Sequence, residues 1–251
     1  REDAIFHIFS MTKPVTGVAM GILADRGLWR PEDPVAKHLP ELAGLQVLAG
    51  YDAAGEPVLE DAVQPPTMAQ LMTHTAGFSY GFDPQAPETR LYRQARPLRA
   101  ATLEQFVERM ATLPLAYQPG SRWQYSVSMD LQGAIVERLT GRRLADFLRE
   151  ELFGPLGMTD TGFFVPPSQR DRLATLNATD DTHHLEPTAN ILFPDHFEEP
   201  GAAYGGMGLY STLTDYARFA QLLLNRGTWA GRRIVSEAAL AAQMTNHLPA
   251  E

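Results

Sequence analysis

Residues 4 to 27 carry the pattern that leaves this chain least freedom. Ala4-Ile5-Phe6-His7-Ile8-Phe9 is a short apolar run of strand character. From Met11 onward, Met11, Val15, Val18, Ala19 and Ile22 recur at i, i+4, i+7 spacing, the rhythm of a helix with a buried face. Pro14 falls in the first turn, where its missing N–H costs little, and Gly27 stands where a helix C-cap belongs. The spacing predicts a strand that hands over directly to a core helix, and any fold must house that helix inside.

The junction also bears chemistry. Ser10 and Lys13 are three residues apart at the predicted first turn, so hydroxyl and amine share one helical face. Lysine is scarce here: of 21 basic residues only Lys13 and Lys37 are lysines. Arginine does not give up its proton in a protein, whereas a crowded lysine does so readily. A nucleophile with an adjacent base is one reading of the pair. A chance Ser-x-x-Lys is the other, and the pair alone leaves both open.

Composition narrows the classes. With 251 residues, 44% of them hydrophobic and 20% charged, the chain is long enough for a substantial core. A formal charge of -9 argues against nucleic acid or an anionic membrane as partner. The absence of cysteine excludes disulfides, thiolate metal sites and cysteine nucleophiles. No apolar run approaches 18 residues and no basic-then-apolar signal begins at Arg1, so a cytoplasmic placement is expected, or a periplasmic one if a leader was removed.

Further along, Thr67 with Gln70 and Thr102 with Gln105 are capping-box patterns that open helices, the first expected to close at Gly77. Asp52 to Gly55 reads as a hairpin turn, and Arg122 to Tyr125 as extended chain. Leu131, Ile135 and Leu139 mark a helix ending at Gly141, Leu144 to Leu152 another, and Thr212 with Asp215 opens one that runs to Asn225. Ser236 caps a last short helix. A helix-rich cluster between residues 67 and 160 is expected, flanked by segments able to join a sheet.

Several of these stretches together resemble the serine hydrolases of the β-lactamase and penicillin-binding-protein superfamily, above all the class C β-lactamase-like carboxylesterases called family VIII. Ser10-Met11-Thr12-Lys13-Pro14 resembles the Ser-x-x-Lys box, and Leu71-Met72-Thr73-His74-Thr75-Ala76-Gly77 a Leu-Leu-Thr-His-Thr-Ser-Gly stretch. Tyr125-Ser126-Val127 resembles the Tyr-x-Asn box, and Gly206-Met207-Gly208-Leu209-Tyr210-Ser211-Thr212 also matches. The resemblance implies an α/β (α+β) fold with a helical cluster beside an antiparallel sheet, in a single domain over 1–251. It makes Ser10 the nucleophile, with Lys13 and Tyr125 moving protons.

Two departures matter. Val127 stands where the lactamases have asparagine, so it cannot donate to the side-chain amide of a β-lactam or peptide, and the expectation moves toward esters. A third box, Lys-Thr-Gly, His-x-Gly or Trp-Gly-Gly, has no counterpart before Glu251. The sheet is therefore expected to be incomplete and the chain to be part of a longer hydrolase. Ser126, Val127, Trp123 and Tyr204 are the expected substrate-side residues, core packing being the competing role for the two aromatics.

Two other patterns compete. Gly77-Phe78-Ser79-Tyr80-Gly81 matches a Gly-x-Ser-x-Gly elbow, which requires a strand before it and a helix after it, and neither is predicted. His183 and His184, with Asp180, Asp181, Asp195 and His196, fit no zinc spacing. The expected protein is a serine carboxylesterase acting on a small ester with no metal or organic cofactor. A β-lactamase or DD-peptidase, or a non-hydrolytic penicillin-binding sensor, are the alternatives.

Overall fold

The helix that opens the sequence argument is the axis of the molecule. In a computed structural model that describes residues 3–179, 184–188 and 196–248, α1 (Thr12–Asp25) buries eleven of its fourteen residues. A helix covered on every side belongs to the interior rather than to an amphipathic surface. β1 (Ile5–His7) leads into it, shorter than the apolar run because Phe9 adopts a left-handed φ of 44° and turns the chain. Gly27, at φ 69°, follows the C-cap Arg26 and donates its N–H to the Ala24 carbonyl.

β2 (Gln46–Tyr51) and β3 (Pro57–Asp61) form the expected hairpin, its turn closed by Asp52 Oδ1, which accepts from the N–H groups of Ala54 and Glu56 at 2.9 Å each. α2 (Met68–Met72) begins with a complete Thr67–Gln70 capping box. It ends at Met72, ahead of Gly77, and that glycine serves another purpose: a Cβ there would lie 2.6 Å from the Tyr117 carbonyl oxygen. α3 (Thr89–Ala95) and α4 (Leu103–Ala111) follow, the latter capped by Thr102. α5 (Ser128–Thr140) stops at Gly141, and α6 (Leu144–Leu148) passes through a π-helical turn into α7 (Gly154–Leu156).

Beyond these lie β4 (Asn177–Thr179), β5 (Leu185–Pro187), β6 (Tyr210–Thr212), α8 (Leu213–Leu224), β7 (Thr228–Trp229), β8 (Arg232–Arg233) and α9 (Glu237–Met244). Thr212 and Ser236 cap α8 and α9 as their sequences dictate. Among the described residues the strands pair antiparallel in twos: β1 with β6, β2 with β3, β4 with β5 and β7 with β8. The pairing of His7 with Tyr210 and Phe6 with Ser211 ties the start of the chain to a segment two hundred residues later.

One apolar cluster runs from Val15 through Leu71, Phe106, Leu131, Ile135 and Phe147 to Phe219 and Leu240. Burying a side chain such as Phe106 or Phe147 completely contributes about 3 kcal/mol each in transfer free energy. Helices packed around α1 beside small antiparallel ladders give an α/β architecture, and among the described residues no helix is long and apolar enough to cross a membrane.

A candidate active site at the head of the buried helix

Ser10 lies in the turn Phe9–Met11 that the left-handed Phe9 creates, at the mouth of α1. Lys13, one helical turn on, reaches back so that its Nζ donates to Ser10 Oγ at 3.2 Å. On the other side Ser10 Oγ is 2.6 Å from the Tyr125 hydroxyl, brought in by the extended segment that precedes α5. Ser10 is exposed, Tyr125 is 37% exposed and Lys13 only 8%. The Lys13 ammonium also stands 4.5 Å from the centre of the Tyr125 ring. The three residues named by sequence thus converge on one oxygen.

The lysine is held by Gly206, from a stretch that carried the resemblance, and behind it by Asp130, which the sequence did not flag. Its Nζ donates to the Gly206 carbonyl at 2.8 Å. The Gly206 N–H in turn donates to Asp130 Oδ1 at 2.8 Å, and the Tyr80 hydroxyl donates to Asp130 Oδ2 at 3.2 Å. Asp130 is fully buried, and burial raises its carboxyl to about 6 even against the Gly206 N–H and the Lys13 charge. Burial likewise pushes the Tyr80 phenol far up, so it stays a donor. Gly206 has to be glycine: a Cβ would come within 2.7 Å of both Asp130 Oδ2 and the Tyr80 hydroxyl. The neighbouring backbone is strapped to α1, with Thr16 Oγ1 donating to the Gly205 carbonyl at 2.8 Å and the Leu209 N–H donating to Thr12 Oγ1 at 3.1 Å.

His74, at a left-handed φ of 58°, stacks on Tyr125 with ring centres 5.4 Å apart. Its Nδ1 accepts the Ser126 N–H at 3.2 Å and lies 3.0 Å from the Ser126 hydroxyl. Burial first, and the Lys13 charge second, lower it to about 4. A neutral imidazole so placed positions the phenol and contacts neither Ser10 nor Lys13.

The other expected site residues divide. Trp123, 52% exposed, stands 6.4 Å from the Tyr125 ring and opens to solvent beside the serine. Ser126 turns inward, its hydroxyl shared with Ser128 at 2.8 Å, and Val127 packs wholly in the core at the start of α5. The Tyr204 hydroxyl donates to the carbonyls of Pro97 and Ala100 at 3.3 and 3.2 Å. The residue that sequence reasoning missed on the open side is Phe82, half exposed and stacked on Tyr80 at 4.7 Å. Tyr80 in turn lies 5.3 Å from the Tyr125 ring, and Met11, next to Ser10 in the chain, is exposed as well.

Ser79 is no elbow nucleophile here. It is buried, its hydroxyl donates to Glu88 Oε1 at 2.9 Å and receives Gln124 Nε2 at 3.0 Å and the Gly81 N–H, and no strand precedes it. The second lysine, Lys37, pairs with Asp33 at 2.7 Å. Of the histidine and aspartate cluster, Asp180, Asp181, His183 and Asp195 lie outside the described residues. Among the described residues no group of three or more His, Cys, Asp or Glu is placed to hold a metal ion.

A serine at the mouth of a buried helix, with lysine one turn on and tyrosine across, is set in a β-lactamase-like fold. The chain belongs to the β-lactamase family, whose model matches residues 1–250. Protein Rv1367c of Mycobacterium tuberculosis is 38% identical over 255 residues, covering 100% of this chain and 61% of that protein. The lovastatin esterase of Penicillium rubens is 32% identical over 255 residues, with 99% and 61% covered. Among solved structures, the unliganded simvastatin synthase LovD from Aspergillus terreus superimposes with a TM-score of 0.82 at 28% identity, covering 99% of this chain and 60% of that one. The chain thus spans about 60% of the length of the relatives it matches.

Proposed function

We propose that the protein is a serine carboxylesterase of the family VIII type, working by acyl transfer through Ser10. Ser10 Oγ bonds to the ester carbonyl carbon while its proton passes to the Tyr125 oxygen or to the Lys13 amine, whichever stands deprotonated. The carbon–oxygen bond to the alcohol then breaks, and the departing oxygen takes up that proton. Water adds to the acyl-Ser10 carbonyl, its proton following the same route, and the acid leaves with Ser10 restored. Apart from the nucleophile, the chain's own groups supply proton transfer and orientation, contributions of roughly 10² to 10⁴ in rate from a well-placed acid–base pair.

The single observation behind this reading is the position of Ser10 Oγ between the Tyr125 hydroxyl at 2.6 Å and the Lys13 ammonium at 3.2 Å. The exposed apolar side chains of Met11, beside Ser10 in the chain, and Trp123, beside Tyr125, suit an uncharged acyl or alcohol group, and an esterase appears among the relatives. The inward-turned Val127 leaves no side-chain amide to hold a β-lactam or peptide, which places lactamase and DD-peptidase activity second.

Rapid-mixing kinetics of the whole protein with a short-chain aryl ester, beside a cephalosporin, tests the reading. The expected result is a burst of phenol equal to the enzyme, then steady turnover, with the cephalosporin turned over far more slowly. Undiminished ester hydrolysis in Ser10→Ala would overturn it. A persistent acyl adduct with negligible turnover would instead make the protein a sensor.

A further inference from the structure

A cleft of about 820 Å³ is walled by α3, Arg109 of α4 and the loop that leads into α3. Arg90, Arg93, Arg96 and Arg109 line it, with Thr89 and Gln94, and no carboxylate does. The local geometry explains the gathering. Arg90 and Arg93 are one turn apart on α3 and so share a face. Arg96 ends that helix in a left-handed turn at φ 48°, and the Arg109 guanidinium on α4 donates to the Arg96 carbonyl at 2.8 Å.

Several arginines elsewhere in this acidic chain are matched to carboxylates, as Arg26 is to Glu151, Arg138 to Glu41 and Arg172 to Asp160, while others rest on neutral partners, as Arg122 does on Gln124 and Arg170 on the Phe197 ring. The four in the cleft belong to the second group, and they are gathered in one place. Arg90 donates to the Gly55 carbonyl at 2.6 Å and lies over the Tyr51 ring at 4.3 Å, Arg109 is spent on a carbonyl, and among the described residues none of the four forms an ion pair. Like charges crowded on one face repel, and a bound anion relieves that repulsion. The guanidinium fork fits phosphate and carboxylate oxygens two at a time, and the volume lies within the range of small-molecule sites.

We propose that this cleft binds a compact polyanion, a small molecule carrying two or more phosphate or carboxylate groups, with Arg93 and Arg96 as its principal ligands. The lining includes none of Ser10, Lys13 and Tyr125, and the proposal is independent of the esterase reading. Calorimetric titration of the whole protein at low ionic strength with pyrophosphate, and in parallel with citrate, tests it. The expected result is saturable binding of one equivalent that falls at least tenfold in the double variant R93Q/R96Q, with melting temperature and far-ultraviolet circular dichroism retained. Preference for pyrophosphate would assign a phosphate ester, and preference for citrate a polycarboxylate. A charge-matched control, R149Q/R226Q, separates site binding from the general field and should keep its affinity. Absence of saturable binding by both anions, or equal weakening in the two double variants, would overturn the proposal.

Discussion

Lys13 and Gly206, 193 residues apart in the chain, are joined by a 2.8 Å hydrogen bond from the ammonium to the backbone carbonyl. That bond points the amine toward Ser10 and, through the Gly206 N–H, places it at the end of a line that starts at Asp130. The Lys13 amine is therefore aimed by a backbone peptide rather than by a charged partner.

Two substitutions separate charge from proton transfer. K13R retains a positive charge but cannot release it, so kcat for an aryl ester should fall by roughly 10² to 10⁴. Y125F removes the hydroxyl that lies 2.6 Å from the serine and should fall by a similar factor. Single-turnover acylation rates read both. Wild-type rates in either would take that residue out of proton transfer.

Enlarging Gly206 disturbs the line at its middle. In G206A the new methyl would meet Asp130 and Tyr80 at 2.7 Å, so the peptide must shift, at a cost of roughly 1 to 3 kcal/mol. Urea unfolding should register that loss, and the acylation rate should drop by more than stability alone explains because the Lys13 acceptor has moved.

Acidification sets His74 and Asp130 against each other. His74 titrates near 4 in the fold against an ordinary 6.5, so as pH falls from 6.5 to 4 the unfolded chain takes up that proton first and stability is lost. Asp130 titrates near 6 against an ordinary 3.8, so as pH falls from 6 to 3.8 the folded chain takes up that proton first and stability is gained. Each effect amounts to up to about 3 kcal/mol, and they nearly cancel. Relative to wild type, D130N should lose stability more steeply between pH 6 and 4. H74N, with asparagine tolerating the left-handed backbone, should lose it less steeply. Denaturation midpoints at pH 4.5 and 7 check both signs.

The decoy serine offers a contrast. S79A leaves the buried Gly81 N–H without its acceptor and takes one donor from Glu88, which keeps Gln124, and this should cost about 1 to 3 kcal/mol in stability. Its burst amplitude with an aryl ester should equal that of the wild type. F82A, by comparison, should leave stability almost unaltered and raise KM by roughly 2- to 10-fold for aryl or long-chain acyl groups, the worth of one aromatic contact.

Much of this was legible because it is local. The Thr67, Thr102, Thr212 and Ser236 caps obey rules that span three residues, and the Ser10–Lys13 pair sits within one helical turn. Tyr125, 115 positions from Ser10, emerged only through resemblance. Asp130 was hidden for a physical reason: an acidic residue in the first turn of α5 reads as an ordinary partner of the helix dipole, and nothing nearby announces its bond to Gly206, 76 residues on. Phe82 sits in a loop without periodicity, and Tyr204, expected at the substrate, finds its partners in the Pro97–Ala100 turn.

The frontier between wet and dry among the described residues falls between the turn that holds Ser10 and the first turn of α1, with Ser10 on the solvent side and Lys13 beneath the surface. In an acyl transfer through Ser10, as proposed, the nucleophile would meet its ester from the wet side while the amine keeps its aim from the dry one.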